Sequence, residues 1–100
     1  MAKTYLYYGT EENCFEIEKF ETTNPFEDIR NFLTDDYIAD DEIDLALNQM
    51  KSDFDKNGFA LYETTQGQGY EIVIGIANDG KCSKVRRVLE LRRKEVISMW

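Results

Sequence analysis

The segment FALYETTQGQGYEIVIGIA, residues 59–77, is expected to form the central hairpin of the fold, because two runs of strand-favouring residues flank a glycine-rich loop. Residues 66–69 (QGQG) have the composition of a hairpin turn that requires positive φ. Side chains in the second arm alternate, with Ile72, Ile74 and Ile76 on one side and Val73, Gly75 and Ala77 on the other. The isoleucines make one face strongly apolar. Because an isolated hairpin is only marginally stable in water, the rest of the chain is expected to cover that face.

A second hairpin is predicted at the start of the chain. Residues 3–8 (KTYLYY) and 14–20 (CFEIEKF) favour strands, and residues 9–13 (GTEEN) have the length and composition of a five-residue hairpin loop. Phe15 and Ile17 alternate with Glu16 and Glu18, so the second run is predicted to be a strand with one side facing solvent.

The first two helices are predicted from their start signals. Asn24 at the N-cap, Pro25 at the first helical position and Glu27 in a capping box mark the first start. Asp40 marks the second start, and Gly58 closes that helix. The apolar residues at helical spacing behind these starts are Phe26, Ile29, Phe32 and Leu33, and then Ile43, Ala46, Leu47, Met50 and Phe54.

A third helix is predicted from Ser83, its N-cap, towards Trp100. Its apolar side is formed by Val85, Val88, Leu89, Val96, Met99 and Trp100. Arg92 interrupts that side, and such an arginine must reach solvent, meet a carboxylate or lie in a protein interface. An interface there, aided by Met99 and Trp100, would be an oligomer contact.

The predicted order of elements is β-β-α-α-β-β-α in a single α+β domain over residues 1–100. Alternation in the strands and amphipathic spacing in the helices favour an antiparallel four-stranded sheet with the helices packed on one face. The sequence pattern does not give the order of the strands within that sheet.

The composition restricts the classes of function. A net charge of −8 disfavours general affinity for nucleic acid or an anionic membrane and suits a basic partner. The chain has no histidine and two cysteines, so it cannot assemble a zinc site from these residues. No apolar segment has the length of a membrane span or a signal peptide, so the predicted location is cytoplasmic, with both thiols free.

Neither a metal site nor a catalytic site is predicted. Residues 53–58 (DFDKNG) match the first half of a calcium-binding loop, but Thr64 occupies the position of the bidentate glutamate. We interpret them as a helix C-cap that leads into a strand. Neither cysteine has a histidine to activate it, and the glycines of residues 66–69 do not lie between a strand and a helix. No cofactor is expected, and the chain is expected not to be an enzyme.

Acidic residues are concentrated between positions 35 and 55. The candidate partner-binding residues are Asp35, Asp36, Asp40, Asp41, Asp44 and Asp55. On the second helix, Asp41, Asp44 and Asp55 lie off the apolar stripe and are predicted to face solvent. A row of carboxylates on a helix can imitate the phosphates of DNA and recruit a basic surface at a salt-sensitive rate. The alternative is a solvated face whose acids only favour the helix start.

The last twenty residues carry a net charge of +5, whereas residues 1–80 carry −13. The candidate nucleic-acid-binding residues of this segment are Lys84, Arg86, Arg87, Arg93 and Lys94. Such asymmetry is typical of a nucleic-acid-binding patch. The alternative is neutralisation within the molecule, by the acidic remainder of the chain and by an ion pair between Glu90 and Lys94.

The favoured function is a non-catalytic intracellular protein-binding domain with a basic protein partner. A small acidic inhibitor of the viral or mobile-element type, acting as a DNA mimic on a nucleic-acid-handling protein, fits the size and charge by analogy. The alternative function is nucleic-acid binding or regulation through the last helix, with the protein as a homodimer. A membrane is not an expected partner.

Overall fold

The computed structural model describes residues 3–65 and 69–98. The elements in chain order are β1 (Thr4–Thr10), a short 3-10 helix (Glu11–Asn13), β2 (Glu18–Thr22), α1 (Pro25–Asp35), α2 (Asp40–Asn57), β3 (Phe59–Thr64), β4 (Ile72–Asn78) and α3 (Cys82–Ser98). The predicted α+β class and the order β-β-α-α-β-β-α are confirmed. Residues 66–68 of the predicted turn, and Met99 and Trp100 of the predicted apolar side, lie outside the described residues.

The four strands form one antiparallel sheet in the order β2-β1-β4-β3. The two hairpins therefore meet through their inner strands, where Leu6 pairs with Ile76 and Tyr8 with Ile74. β2 and β3 are the edge strands. Because β4 is central and its residues 72–77 are all buried, it must be covered on both faces.

The helices pack on both faces of the sheet, so the prediction that they share one face is wrong. The larger core lies between the sheet and α1 and α2, and it contains Leu6, Ile74 and Ile76. The second core lies on the other side, where Val73 and Ala77 pack with Val85 and Leu89 of α3. The physical reason is that the second side of β4 is also apolar, with small residues that allow a helix to approach closely.

Gly75 is the point of closest approach between α3 and the sheet. A Cβ atom at this position would lie 2.7 Å from Cγ1 of Val85 and 2.9 Å from Cδ2 of Leu61. Only a residue without a side chain fits under α3 here. The glycine therefore sets the depth at which the last helix packs.

The connection between β1 and β2 differs from the predicted five-residue loop. β1 continues to Thr10, whose side chain caps the 3-10 helix through the backbone N–H of Asn13 at 3.4 Å. Cys14 and Phe15 then have positive φ, of 58° and 55°, and Phe15 is fully buried in the second core. β2 consequently begins at Glu18, because Phe15, with Cys14 and Ile17 beside it, packs into the second core instead of extending the strand.

The helix boundaries agree closely with the predictions, but two capping details, at Asn24 and at Ser83, are wrong. α1 begins at Pro25 after Asn24, yet the side chain of Asn24 makes no bond to the backbone and instead donates to Glu27 Oε2 at 2.5 Å. α2 begins at Asp40 and is closed by Gly58 (φ 78°), whose N–H donates to the carbonyl of Phe54 at 2.9 Å. α3 begins at Cys82, one residue before the predicted cap Ser83.

Candidate protein-binding surface

The connection between α1 and α2 ends the first helix in a strained way. The N–H of Ile38 donates to the carbonyl of Leu33 and the N–H of Tyr37 to that of Thr34, both at 3.0 Å, which is the Schellman arrangement. Tyr37 occupies its left-handed position, with φ 64°. Glycine is the usual residue there because a side chain clashes with its own backbone.

The left-handed conformation does not bring the ring of Tyr37 into the core, since the residue is 77% exposed. Neighbouring Ile38 does the opposite, because it is buried with Leu33 in the larger core. A bulky residue with positive φ and a solvated ring is unfavourable for folding, and such outliers concentrate at binding and catalytic sites. Tyr37 is therefore the first candidate for a contact residue.

Asp36 is the one predicted partner-binding residue that the structure contradicts. It is only 7% exposed, and its Oδ2 atom accepts a hydrogen bond of 2.6 Å from the hydroxyl of Tyr8 on β1. Burial raises the pKa of this carboxyl, the bond from Tyr8 opposes that rise, and nearby Asp35 adds to it. Asp36 thus anchors the end of α1 to the central part of the sheet and cannot touch a partner.

The other acidic candidates are exposed. Asp35 ends α1, Asp40 and Asp41 open α2, and Asp55 lies near its end. Asp44 is exposed but already forms an ion pair of 2.7 Å with Arg30 of α1. Of the candidates that keep their charge unpaired among the described residues, Asp35, Asp40 and Asp41 lie within four residues of Tyr37 in the chain.

Leu45 lies at the centre of the solvent-facing side of α2. It is 68% exposed, and helical spacing places it between Asp41, four residues before, and Asn48, three residues after. The buried stripe of the same helix occupies the opposite side, so Leu45 contributes nothing to the core. We call Tyr37 and Leu45, with Asp35, Asp40 and Asp41, the Tyr37–Leu45 surface.

Tyr37 and Leu45 were not among the site residues predicted from the sequence. The available signal was that Leu45 breaks the apolar period of α2 and that Tyr37 interrupts a run of acids. The left-handed conformation of Tyr37 could not be anticipated, because it arises from the turn that brings Ile38 into the core.

The basic candidates lie on α3, across the sheet from this surface. Lys84, Arg86, Arg87, Arg93 and Lys94 are all exposed. Among the described residues none of the five forms an ion pair, and the predicted pair of Glu90 with Lys94 is not present. Leu91, which is 52% exposed, lies between Arg87 and Lys94. The predicted neutralisation within the molecule therefore does not extend to these bases.

Arg92 differs from these bases of α3 because it forms ion pairs with glutamates of the same molecule. Its guanidinium bonds the carboxylate of Glu63 and lies 3.4 Å from Glu71 and 3.6 Å from Glu95. Burial alone would lower the pKa of Arg92, but these carboxylates outweigh it and raise the pKa. An open depression beside them is lined by Glu63, Thr64, Thr65 and Glu71. Of the three predicted roles for Arg92, contact with carboxylates is the one observed.

Residues 3–65 and 69–98 contain neither a metal-binding cluster nor a helix that could span a membrane. In this part of the chain, no cluster of three or more acidic or cysteine side chains could hold a metal ion. No helix there combines the length and apolar character needed to cross a membrane. Cys14 and Cys82 are free, half-buried thiols.

Comparison of the chain with protein-family models, curated protein sequences and solved structures gives no significant match. Function is therefore inferred from the geometry and chemistry of the surfaces described above.

Proposed function

We propose that this chain is a non-catalytic protein-binding domain whose Tyr37–Leu45 surface occupies a basic surface of another protein. The observation that carries the proposal is the solvated ring of Tyr37, held with φ 64° at a position that favours glycine. Strain that brings no packing in the free protein is explained if the ring packs against a partner. Tyrosine is also among the residues that contribute most to binding energy in protein interfaces.

The surroundings of Tyr37 specify the charge of the partner. Asp35, Asp40 and Asp41 are exposed and have no ion pair among the described residues, and Leu45 adds a second apolar side chain. An aromatic and a leucine rimmed by carboxylates match a basic surface with apolar pockets. Because the rim charges are solvated, they should act mainly by accelerating association, and salt should weaken that effect.

Basic surfaces with these properties are common on proteins that handle nucleic acid, where lysine and arginine normally contact phosphates. Occupation of such a surface by this domain would exclude DNA or RNA from it. We therefore propose an inhibitory role of this kind, in the cytoplasm or another reducing compartment that keeps Cys14 and Cys82 free.

The test compares the same substitution at two exposed leucines, one on the proposed surface and one away from it. Tagged wild-type protein, Leu45→Arg and Leu91→Arg are used to capture proteins from a candidate host lysate after nuclease treatment. Leu45 lies on the proposed surface and Leu91 on the opposite side of the sheet, and both are exposed. A partner retained by wild type and Leu91→Arg but lost by Leu45→Arg is then purified and titrated against all three forms.

The proposal expects Leu45→Arg to weaken the purified complex at least about tenfold, and expects higher salt to slow its formation. Tyr37→Gly should weaken it by a similar factor, whereas Tyr37→Phe, which keeps the ring, should bind nearly as wild type does. Equal binding by wild type, Leu45→Arg and Tyr37→Gly would overturn the proposal.

Nucleic-acid binding through α3 is the second candidate, favoured by five exposed bases without ion pairs among the described residues. It is opposed by the net charge of −8. The triple change Arg86→Ala, Arg87→Ala and Arg93→Ala should abolish retention on DNA or RNA and reduce its salt dependence. If the wild-type protein binds neither DNA nor RNA at low salt, this function is excluded.

A further inference from the structure

Two exposed leucines lie at equivalent places on helices of opposite charge. Leu45 of α2 has Asp41 four residues before it and Asn48 three residues after it, whereas Leu91 of α3 has Arg87 and Lys94 at the same two offsets. All of these side chains are exposed. We propose that the solvent-facing side of α3 in one molecule binds the solvent-facing side of α2 in a second copy of this chain.

Charge complementarity supports this choice of occupant. The described bases of α3 other than Arg92 have no ion pair, and the first turn of α2 carries Asp40 and Asp41 with Glu42. Residues 81–100 bear +5 and the remainder of the chain bears −13, so two molecules attract each other best when the basic side of one approaches the acidic side of the other. The two leucines then meet at the centre of the contact.

The contact cannot form within one molecule, because α2 and α3 pack on opposite faces of the same sheet. Their solvent-facing sides therefore point in opposite directions. Association through two different surfaces is heterologous, so it produces head-to-tail chains or a closed ring and not a two-fold dimer. Each added copy leaves one acidic and one basic side open.

The size of the helices indicates how strong the association is. With 18 and 17 residues, α2 and α3 are about 27 and 26 Å long at the usual rise per residue. Two such helices, each about 10 Å wide, bury on the order of 500–600 Å² in total, well below the ~1,200 Å² of a stable interface. The association is therefore weak, reversible and dependent on concentration.

This inference rests on the proposed function only because both involve the Leu45 side of α2. A second copy of the chain, through its basic α3, would be one of the basic partners of that side. A second copy bound there would compete with any other protein for the same residues. The degree of self-association would then set how much of the Tyr37–Leu45 surface is free.

The test uses sedimentation equilibrium of the purified chain over a wide concentration range, at about 0.05 M and about 0.5 M salt. The weight-average mass should rise above 11.7 kDa with concentration at low salt and return towards it at high salt. Two variants alter the residues that flank each leucine: Asp41→Lys with Asn48→Lys on α2, and Arg87→Glu with Lys94→Glu on α3. Each variant alone should remain monomeric.

An equimolar mixture of the two variants provides the decisive result. It places a basic α2 opposite an acidic α3, and a basic α3 opposite an acidic α2, so association should return. Lys3→Glu with Lys19→Glu is the matched control, because it changes the net charge by the same amount as the α3 variant at exposed residues that belong to neither helix. This control should associate as wild type does.

A wild-type chain that remains at 11.7 kDa throughout, or variants that associate as well as wild type, would overturn the inference. So would a mixture that stays monomeric. These outcomes would leave the proposed function standing, because capture of another protein by wild type and not by Leu45→Arg is measured separately.

Discussion

The guanidinium of Arg92 on α3 bonds the carboxylate of Glu63 on β3, so the last helix is linked by charge to an edge strand of the sheet. Glu71, which precedes β4, lies 3.4 Å from the same guanidinium. One arginine therefore joins both arms of the hairpin that organises the fold. Without it, two carboxylates would repel each other beside the same helix.

Replacement of Arg92 by Met should lower the free energy of unfolding by about 1–2 kcal/mol, since each half-exposed pair contributes up to ~1 kcal/mol. Arg92→Lys should recover only part of this loss, because an ammonium cannot bridge carboxylates as a planar guanidinium does. Urea unfolding at low and high salt measures the effect, and salt should shrink it. Arg93→Met, an exposed neighbour with no ion pair among the described residues, is the control; an equal loss there would refute the role of Arg92.

Two neighbouring tyrosines of β1 should respond in opposite ways to loss of the hydroxyl. Tyr7 is fully buried, and its hydroxyl has no partner of hydrogen-bonding geometry among the described residues, although Cys82 and Arg86 lie beside it. Burial first, and then Cys82, raise the pKa of Tyr7 to about 12, while Arg86 opposes the rise. The hydroxyl of Tyr8 instead donates to Asp36 at 2.6 Å.

Tyr7→Phe should therefore raise the free energy of unfolding by about 1 kcal/mol, because it removes an unsatisfied buried group. Tyr8→Phe should lower it by about 2 kcal/mol, because it removes a bond to a buried carboxyl. Thermal or urea unfolding of the two variants and wild type measures these changes in the free energy of unfolding. A loss of stability in Tyr7→Phe would show that its hydroxyl is satisfied in solution.

Asp36 should give the protein a measurable pH dependence. Burial raises its pKa in the folded state above the ordinary value of 3.8, so the folded state binds the proton more tightly than the unfolded chain does. Stability from this group must then fall as pH rises from about 3.8 through the raised pKa. Asp36→Asn, which stays uncharged, should become more stable relative to wild type across that window.

The measurement is the difference in unfolding free energy between Asp36→Asn and wild type at several pH values. Asn31→Ala, which changes an exposed and uncharged residue of α1, is the control and should give a difference that does not vary with pH. A difference for Asp36→Asn that is independent of pH would contradict the raised pKa.

Tyr37→Gly should stabilise the free protein while it weakens partner binding. Relief of the left-handed conformation favours folding by about 1–2 kcal/mol, and the greater freedom of glycine in the unfolded chain offsets ~0.5–1 kcal/mol of that gain. A net increase of about 0.5–1 kcal/mol in the free energy of unfolding is expected. Tyr37→Ala, which removes the ring and keeps the backbone strain, should show no such increase. A destabilised Tyr37→Gly would mean that the ring supports the fold.

Gly75→Ala should destabilise the protein by about 2 kcal/mol, because a methyl group there overlaps Val85 of α3 and Leu61 of β3. In the double variant Gly75→Ala with Val85→Ala, the new methyl group enters part of the space that the valine leaves. The two changes together should therefore cost less than the sum of their separate effects, as a double-mutant cycle measures. Strict additivity would mean that α3 does not press on Gly75.

The helices and the order of elements could be predicted because their signals are local. Asp40 and Gly58 bound α2 through chemistry that acts within one turn, and the structure has those boundaries. The β1–β2 connection was mispredicted for the opposite reason. Alternation around Phe15 suggested a strand, but burial under α3, which lies far along the chain, turns this residue inward.

The same distinction between local signals and distant contacts applies to the residues of the candidate site. Exposure of Asp41, Asp44 and Asp55 followed from helical period, whereas burial of Asp36 depended on Tyr8, which is 28 residues away along the chain. Leu45 could be recognised from its phase on α2. The conformation of Tyr37 could not, because the packing of Ile38 imposes it.

The elements, their order, the antiparallel character of the sheet and the separation of acidic from basic segments could all be predicted, since propensity, period and charge act over a few residues. Three features required the tertiary structure: the strand order, the placement of α3 on the second face, and whether each charged side chain is buried, paired or exposed. Those outcomes depend on which distant side chains meet: the small residues of β4 admit α3 and leave the acidic and basic helices facing away from each other.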